Sequence, residues 1–254
     1  MRDPSSGWLQ LSSTEFVVLW QALDLGDLPA VLELDRLGRT TKSAQELADQ
    51  VSAALESREL GTVARPARDV ALTLRTVAEY TTCADLVVHG DDVPLRGLGA
   101  VGRRGAAALA RVGDEVRMGP VPAHRIVGSL LDSLRPLPAG PGRPVNVGIA
   151  EYRAACEEGE RDGVTGFTRA LQAGGLRDTD ASTLAKAVTR RRAGGQLGAS
   201  GRTPREHRAG TVLNWLDTDD GRYAVQLRAG WLTITPVDAA RLVRMAGELL
   251  DEVR

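Results

Sequence analysis

Lysine is nearly missing from this chain. Of its 32 basic residues only Lys42 and Lys186 are lysines, and with the abundance of alanine and glycine this reflects a GC-rich genome rather than a function. Net charge is also missing: 32 basic against 33 acidic residues leave −1, so nothing electrostatic favours a nucleic acid or a membrane surface. Cys83 and Cys156 are the only cysteines, which excludes a disulfide framework and an all-cysteine metal site and leaves them as small packing residues. Aromatics make up 4%, too few for the stacking platforms that grip single strands. No apolar run approaches the ~20 residues of a membrane span, and the N-terminus lacks a charged-then-apolar leader pattern. The expectation is a cytoplasmic protein without membrane insertion. Its 254 residues allow one large domain or two small ones.

What is present centres on the last stretch, Gly221 to Arg254. Tyr223, Val225 and Leu227 alternate with polar neighbours, and Trp231, Leu232 and Ile234 follow Ala229-Gly230, which reads as a hairpin. Thr235-Pro236-Val237-Asp238 reads as a helix start with Thr235 as N-cap, and Leu242, Ala246, Leu249, Leu250 and Val253 lie on one helical face. The same unit stands 116 residues earlier. Gly221, Ala224, Pro236, Val237, Ala239, Arg241 and Val243 match Gly105, Ala108, Pro120, Val121, Ala123, Arg125 and Val127 in type. Two related halves are expected, each a β-meander ending on a helix.

Taken in order, Ser12 and Glu15 form a capping box, with Leu11 and Phe16 at the positions of a hydrophobic staple. Phe16, Leu19, Trp20 and Leu23 line the helix that follows, with Gly26 as its stop. Leu28 to Leu34 reads as a strand. Ser43 and Glu46 suggest a second capping box, and a third helix runs from about Ala67 to Tyr80. Cys83 to His89 reads as a strand, Asp91-Asp92 as a turn, and Gly97 to Gly105 as a glycine-rich connection or poor strand. The first copy of the unit occupies Ala107 to Leu134. Pro136 to Pro144, with four prolines and two glycines, is the linker candidate between halves at 1–135 and 145–254. Beyond it come an extended Val145 to Ile149, helices from Tyr152, around Val164 to Ala173 and from Thr179 to Arg191, and a strand from Gln196 to Gly201. His207 to Leu216 pairs with Gly221 to Leu227 across Asp217 to Asp220. So many strands with so few crossover helices imply an α+β chain with a mainly antiparallel sheet.

Gly97-Leu98-Gly99-Ala100-Val101-Gly102 fits GxGxxG, but a dinucleotide site needs that motif between a strand and a helix, and here it leads into a strand. A nucleotide-binding enzyme using this loop remains one alternative. His89, His124 and His207 lack ligand-spaced partners, so no metal is expected. Gly198-Ala199-Ser200-Gly201 falls short of a nucleophile elbow, although a Ser200–His207 pair is conceivable. Arg190, Arg191, Arg192, Arg202, Arg205 and Arg208 form a locally basic region, the basis of a second alternative, a nucleic-acid module. No cofactor is called for, and an interaction scaffold is favoured.

Gly221-Arg222-Tyr223 and Gly230 to Pro236 running into the last helix, together with Leu9 to Leu34 at the start, resemble the EspG family of secretion-associated proteins of actinobacterial type VII (ESX) systems. The resemblance covers nearly the whole chain in order, although the middle matches by pattern alone. It implies a single α/β (α+β) domain: a central, mostly antiparallel sheet flanked by two helical bundles related by a quasi-twofold. It also implies a cytosolic chaperone, not an enzyme, that covers the apolar tip of the PPE-like protein in a PE–PPE-type pair. The client surface then falls between Gln196 and Asp217, with Arg202, Arg205, His207, Asn214 and Trp215 as its contact residues. The compactness of the chain puts a client-gripping loop in question.

Overall fold

The computed structural model describes residues 3, 6–38, 40–90 and 93–254; the turn expected at Asp91-Asp92 lies outside them. Strand β1 (Leu9–Ser12) runs straight into helix α1 (Ser13–Ala22) through the expected capping box. The Ser12 hydroxyl accepts from the Glu15 N–H at 3.1 Å, and the Glu15 carboxylate accepts from the Ser12 N–H at 2.8 Å. Leu11 and Phe16 are buried in one cluster. The second capping box lies earlier than Ser43 and Glu46 suggest: Thr40 caps α2 (Thr41–Glu56) and Ser43 closes the box, while Glu46 pairs with Lys42 at 3.8 Å.

Leu28 to Leu34 is not a strand. Only Ala30–Leu32 is regular, a single 3-10 turn ended by Glu33 at φ 48°. Its carbonyls find partners in sheet arginines instead of a ladder: Arg96 Nη1 donates to Val31 O at 3.4 Å, and Arg111 Nη1 to Leu32 O and Glu33 O at 2.5 and 3.0 Å. Leu32 is fully buried, so the segment lies on the sheet rather than in it.

Helix α3 (Arg68–Ala78) leads into a meander of β2 (Tyr80–His89), β3 (Leu95–Gly102), β4 (Gly105–Val112) and β5 (Glu115–Pro120), closed by α4 (Ile126–Leu131). Residues 136–144 are tied to the sheet: Arg222 N donates to Pro138 O at 2.9 Å and Gly140 N to Arg222 O at 3.0 Å. Next come β6 (Val145–Gly148), α5 (Ile149–Ala173) and α6 (Asp178–Thr189). Non-helical Asp162 and Gly163 break α5 in two, which yields the three helices expected here. The last part is β7 (Arg191–Gly201), β8 (His207–Arg208), β9 (Leu213–Thr218), β10 (Gly221–Arg228), β11 (Trp231–Pro236) and α7 (Ala239–Asp251). Three expectations change. Arg191 opens β7 instead of closing a helix. His207 pairs with Gly201 of β7 and does not continue into β9. Thr235 stays in the sheet opposite Ala224, and Asp238 caps α7 by accepting from Arg241 N–H at 2.7 Å.

The strands form one sheet in the order β1-β5-β4-β3-β2-β7-β9-β10-β11-β6, with β8 on β7, and every ladder between them is antiparallel. The order repeats about its middle. Strand β4 starts at Gly105 and β10 at Gly221, and β5 ends at Pro120 and β11 at Pro236, an offset of 116 in both. The approximate twofold passes through the β2–β7 ladder at the pair Leu86–Leu197.

Residues directly opposite in a ladder share a face. One row therefore reads Leu11, Val116, Arg111, Arg96, Val87, Gln196, Asn214, Val225, Ile234, Val145. Both bundles sit on that face, α1–α3 over one end of the sheet and α5–α6 over the other. The opposite face carries α4 and α7 side by side over the centre.

Here the GxGxxG string finds its explanation. It lies inside β3, paired on both edges, and so is not a phosphate loop. A Cβ on Gly99 would meet Ile126 Cγ1 at 2.6 Å, and one on Gly97 would meet Leu130 Cδ2 at 3.2 Å. Those glycines let α4 press onto the strand.

Candidate functional site

Between the bundles the centre of the sheet stays open. This cleft has β3, β2, β7 and β9 as its floor, the segment from Leu25 to Glu33 with the end of α3 as one wall, and α5 and α6, packed on β10, β11 and β6, on the other side. Two hollows share it. The larger, about 810 Å³, is lined by Cys83, Asp85, Val87, Arg96, Ser200 and Arg208 among others. The smaller, about 360 Å³, is lined by His89, Gly194, Gln196, Asn214 and Leu216. The twofold exchanges β2 with β7 and β3 with β9, so the hollows are approximate mates across Leu86–Leu197. The first lies under the N-terminal bundle; the second is more open, with Gln196 exposed and Asn214 half-buried.

The larger hollow is built on charge pairs. Arg208 reaches across β7 to β2 and holds Asp85 end-on, Nη1 to Oδ2 at 2.8 Å and Nη2 to Oδ1 at 2.9 Å, with Ser200 Oγ 3.4 Å from Nη1. It lies flat over the strand because position 198 has no side chain: a Cβ there would stand 2.1 Å from Nη2. The bond to Asp85 raises the pKa of Arg208, so its charge is permanent. Arg202 stacks on the Tyr80 ring at 3.8 Å and donates to Ala78 O at 2.7 Å, at the C-terminus of α3 where a cation is favoured. Burial pushes the Cys83 thiol up to about 11 and raises the Tyr80 hydroxyl as well. At neutral pH the cleft therefore contains a thiol and a phenol, not nucleophilic anions.

Of the expected contact residues, Arg202, Arg205 and His207 come together on the exposed connection from β7 through β8 to β9. Asn214 lies on the bundle face beside Gln196. Trp215, next in the strand, points to the other face, 1% exposed in the α4–α7 core over Gly195, so it cannot share a surface with Asn214. Among the described residues its indole N–H has no hydrogen-bond partner. His207 Nδ1 donates to Arg205 O at 2.9 Å. A Ser200–His207 pair does not form: Ser200 stands opposite Arg208, and His207, paired with Gly201, takes the other face. The basic region is not free for phosphates either. Among the described residues, four of its six arginines meet carboxylates: Arg190 with Asp220, Arg192 with Asp219, Arg202 with Glu206 and Arg208 with Asp85. Among the described residues no three His, Cys, Asp or Glu side chains converge as a metal site, and no helix is long and apolar enough to cross a membrane.

Sequence reasoning passed over Asp85, and used Gln196 only as the edge of the expected strand and client surface. An acid inside the apolar run Cys83-Ala84-Asp85-Leu86-Val87-Val88 was the visible signal, since it has to find a partner across the sheet. The opposite face has its own hollow, about 770 Å³, between α4 and Trp8 over Gly97, Ala108 and Ala110. Glu115 and Arg117 at its rim pair with each other.

A model of the EspG family matches residues 12–248. Among solved structures, the chain is similar to the type VII secretion system chaperone EspG5 of Mycobacterium tuberculosis, determined in complex with a PE25–PPE41 dimer. Identity is 17%, the TM-score is 0.77, and the superposition covers 97% of each chain. No curated protein sequence matches it.

Proposed function

The chain belongs to the EspG family, and on that footing we propose that it is a cytoplasmic secretion chaperone of a type VII system, acting by binding alone. Its client is the PPE-like member of a PE–PPE-type pair, whose apolar tip it covers until secretion. The observation that carries this reading is the agreement in fold, over 97% of both chains, with a chaperone whose structure includes a PE–PPE dimer. The proposed client surface is the open centre of the bundle face. Gln196 and Asn214 form its floor, Val225 and Leu227 extend it toward α5, and Arg202 and Arg205 stand at its rim with His207 at the end of the same connection. This surface combines exposed apolar and amide groups, which suits a helical tip that is apolar with polar ends. Trp215 supports the floor from beneath. The chain works as one domain, its halves at 1–135 and 145–254 joined by residues 136–144; the sheet that runs through both halves supports that reading.

Co-expression with PE–PPE-type pairs from the same genome tests the proposal. A stable complex on size exclusion, with a pair that precipitates when expressed alone, is the expected outcome. Pairs that stay soluble alone and never co-elute with the chain would remove the proposal.

A further inference from the structure

We propose that Arg208 is a specificity-determining residue of this cleft, and that it reads backbone carbonyl groups at the end of a client helix. The inference rests on the chaperone reading above. A guanidinium carries five N–H donors. Among the described residues, three of those on Arg208 find partners: two on Asp85 and one, on Nη1, toward Ser200. The remaining two, on Nε and Nη2, are parallel and form the second fork of the group. Its side chain is 52% exposed and lines the larger hollow, so this fork is open to a ligand, whereas Asp85 beneath it is only 16% exposed.

Charge decides what the fork accepts. Arg208 and Asp85 together are neutral, and a client carboxylate placed on the fork would bring a second negative charge close to Asp85. Neutral acceptors carry no such penalty. The last four carbonyls of a helix lack intrahelical partners and are the acceptors a helical tip presents in a row. A wholly apolar tip is rejected, because covering the fork without a partner would strip it of water. The twofold mate of the pair reinforces the point. Strand β2 places Asp85 where β7 places Gln196, and Val87 occupies the position of Gly198. Only one of the two hollows therefore has a glycine under an arginine, and the cleft has a defined direction for its client despite the near symmetry of the sheet.

The test uses the full chain and the PE–PPE-type pair retained in the co-expression experiment, with affinity measured by titration calorimetry and folding by thermal melts. Arg208→Gln is expected to bind that pair about ten- to a hundredfold more weakly, the range for lost hydrogen bonds to a charged donor. The exchange variant D85R/R208D separates recognition from support. It keeps an ion pair between β2 and β8, spanning β7, but moves the donors to the other strand. Recovery of the melting temperature without recovery of affinity supports the inference. Wild-type affinity in R208Q, or restored affinity in D85R/R208D, would overturn it while leaving the chaperone reading intact. Should the wild-type chain retain no pair at all, the chaperone reading falls and this inference with it.

Discussion

Removing the Asp217 carboxylate should cost more stability than any other single polar substitution in this fold. Arg222 is 1% exposed, and Asp217 holds it with two bonds, Nε to Oδ1 at 2.6 Å and Nη2 to Oδ2 at 2.9 Å. Nη2 also donates to Arg135 O at 3.1 Å, so the same side chain ties the end of the first half to β10. In Asp217→Ala the guanidinium stays buried, with one carbonyl in place of a carboxylate. Breaking a buried pair from one side costs about 3–5 kcal/mol, against a total stability of about 5–15 kcal/mol for a typical protein. For a chain of this size that corresponds to a fall in melting temperature of about 6–20 °C. Urea unfolding and calorimetry would measure it. The double variant D217L/R222M removes both charges and should recover most of the loss, because apolar replacement of a buried pair is near neutral or better. A D217A variant within about 1 kcal/mol of wild type, with an unchanged urea slope, would refute the reasoning.

Gly99→Val should destabilise by about 1–3 kcal/mol through overpacking against Ile126, without any effect on nucleotide binding, since no phosphate loop exists there. Trp215→Ala should cost about 3–5 kcal/mol in a urea titration, the range for a large side chain removed from a core. Asp180 accepts from Arg143 and Arg177, which lower its pKa. Its contribution is fully present above about pH 4, the ordinary carboxylate range, and is lost as pH falls through the depressed folded value. Asp180→Asn should therefore lose less stability than wild type on acidification. With its thiol pushed up to about 11 by burial, Cys83 should escape iodoacetamide at pH 8 in the folded protein and react on unfolding, as mass spectrometry of tryptic peptides would show.

Local signals in the sequence translated well. The Ser12–Glu15 capping box needs only residues three apart, and it forms as expected. The 116-residue offset survived because β4, β5 and their counterparts β10 and β11 are hairpins whose partners lie nearby in the chain. Long-range satisfaction was not legible. Leu28 to Leu34 has the apolar content of a strand, but arginines 65 to 79 residues away take its carbonyls. Thr235-Pro236 reads as a helix start until its ladder with Tyr223 and Ala224 is known. In the site, period-two alternation already separates Asn214 from Trp215; only the position of the helices tells which of them meets the core. The cleft itself depends on the gap between two bundles, a property of the assembled sheet that no single stretch carries.

The most direct test of the central claim compares Asn214→Arg with Gln226→Arg in binding to the retained PE–PPE-type pair. Both residues are half-buried and lie on adjacent strands, but Asn214 faces the cleft, whereas Gln226 shares the face of Ala224 and α7. Loss of the complex on size exclusion with N214R and its retention with Q226R is the predicted result. A complex that survives N214R and is lost with Q226R would place the client on the other face and contradict the account.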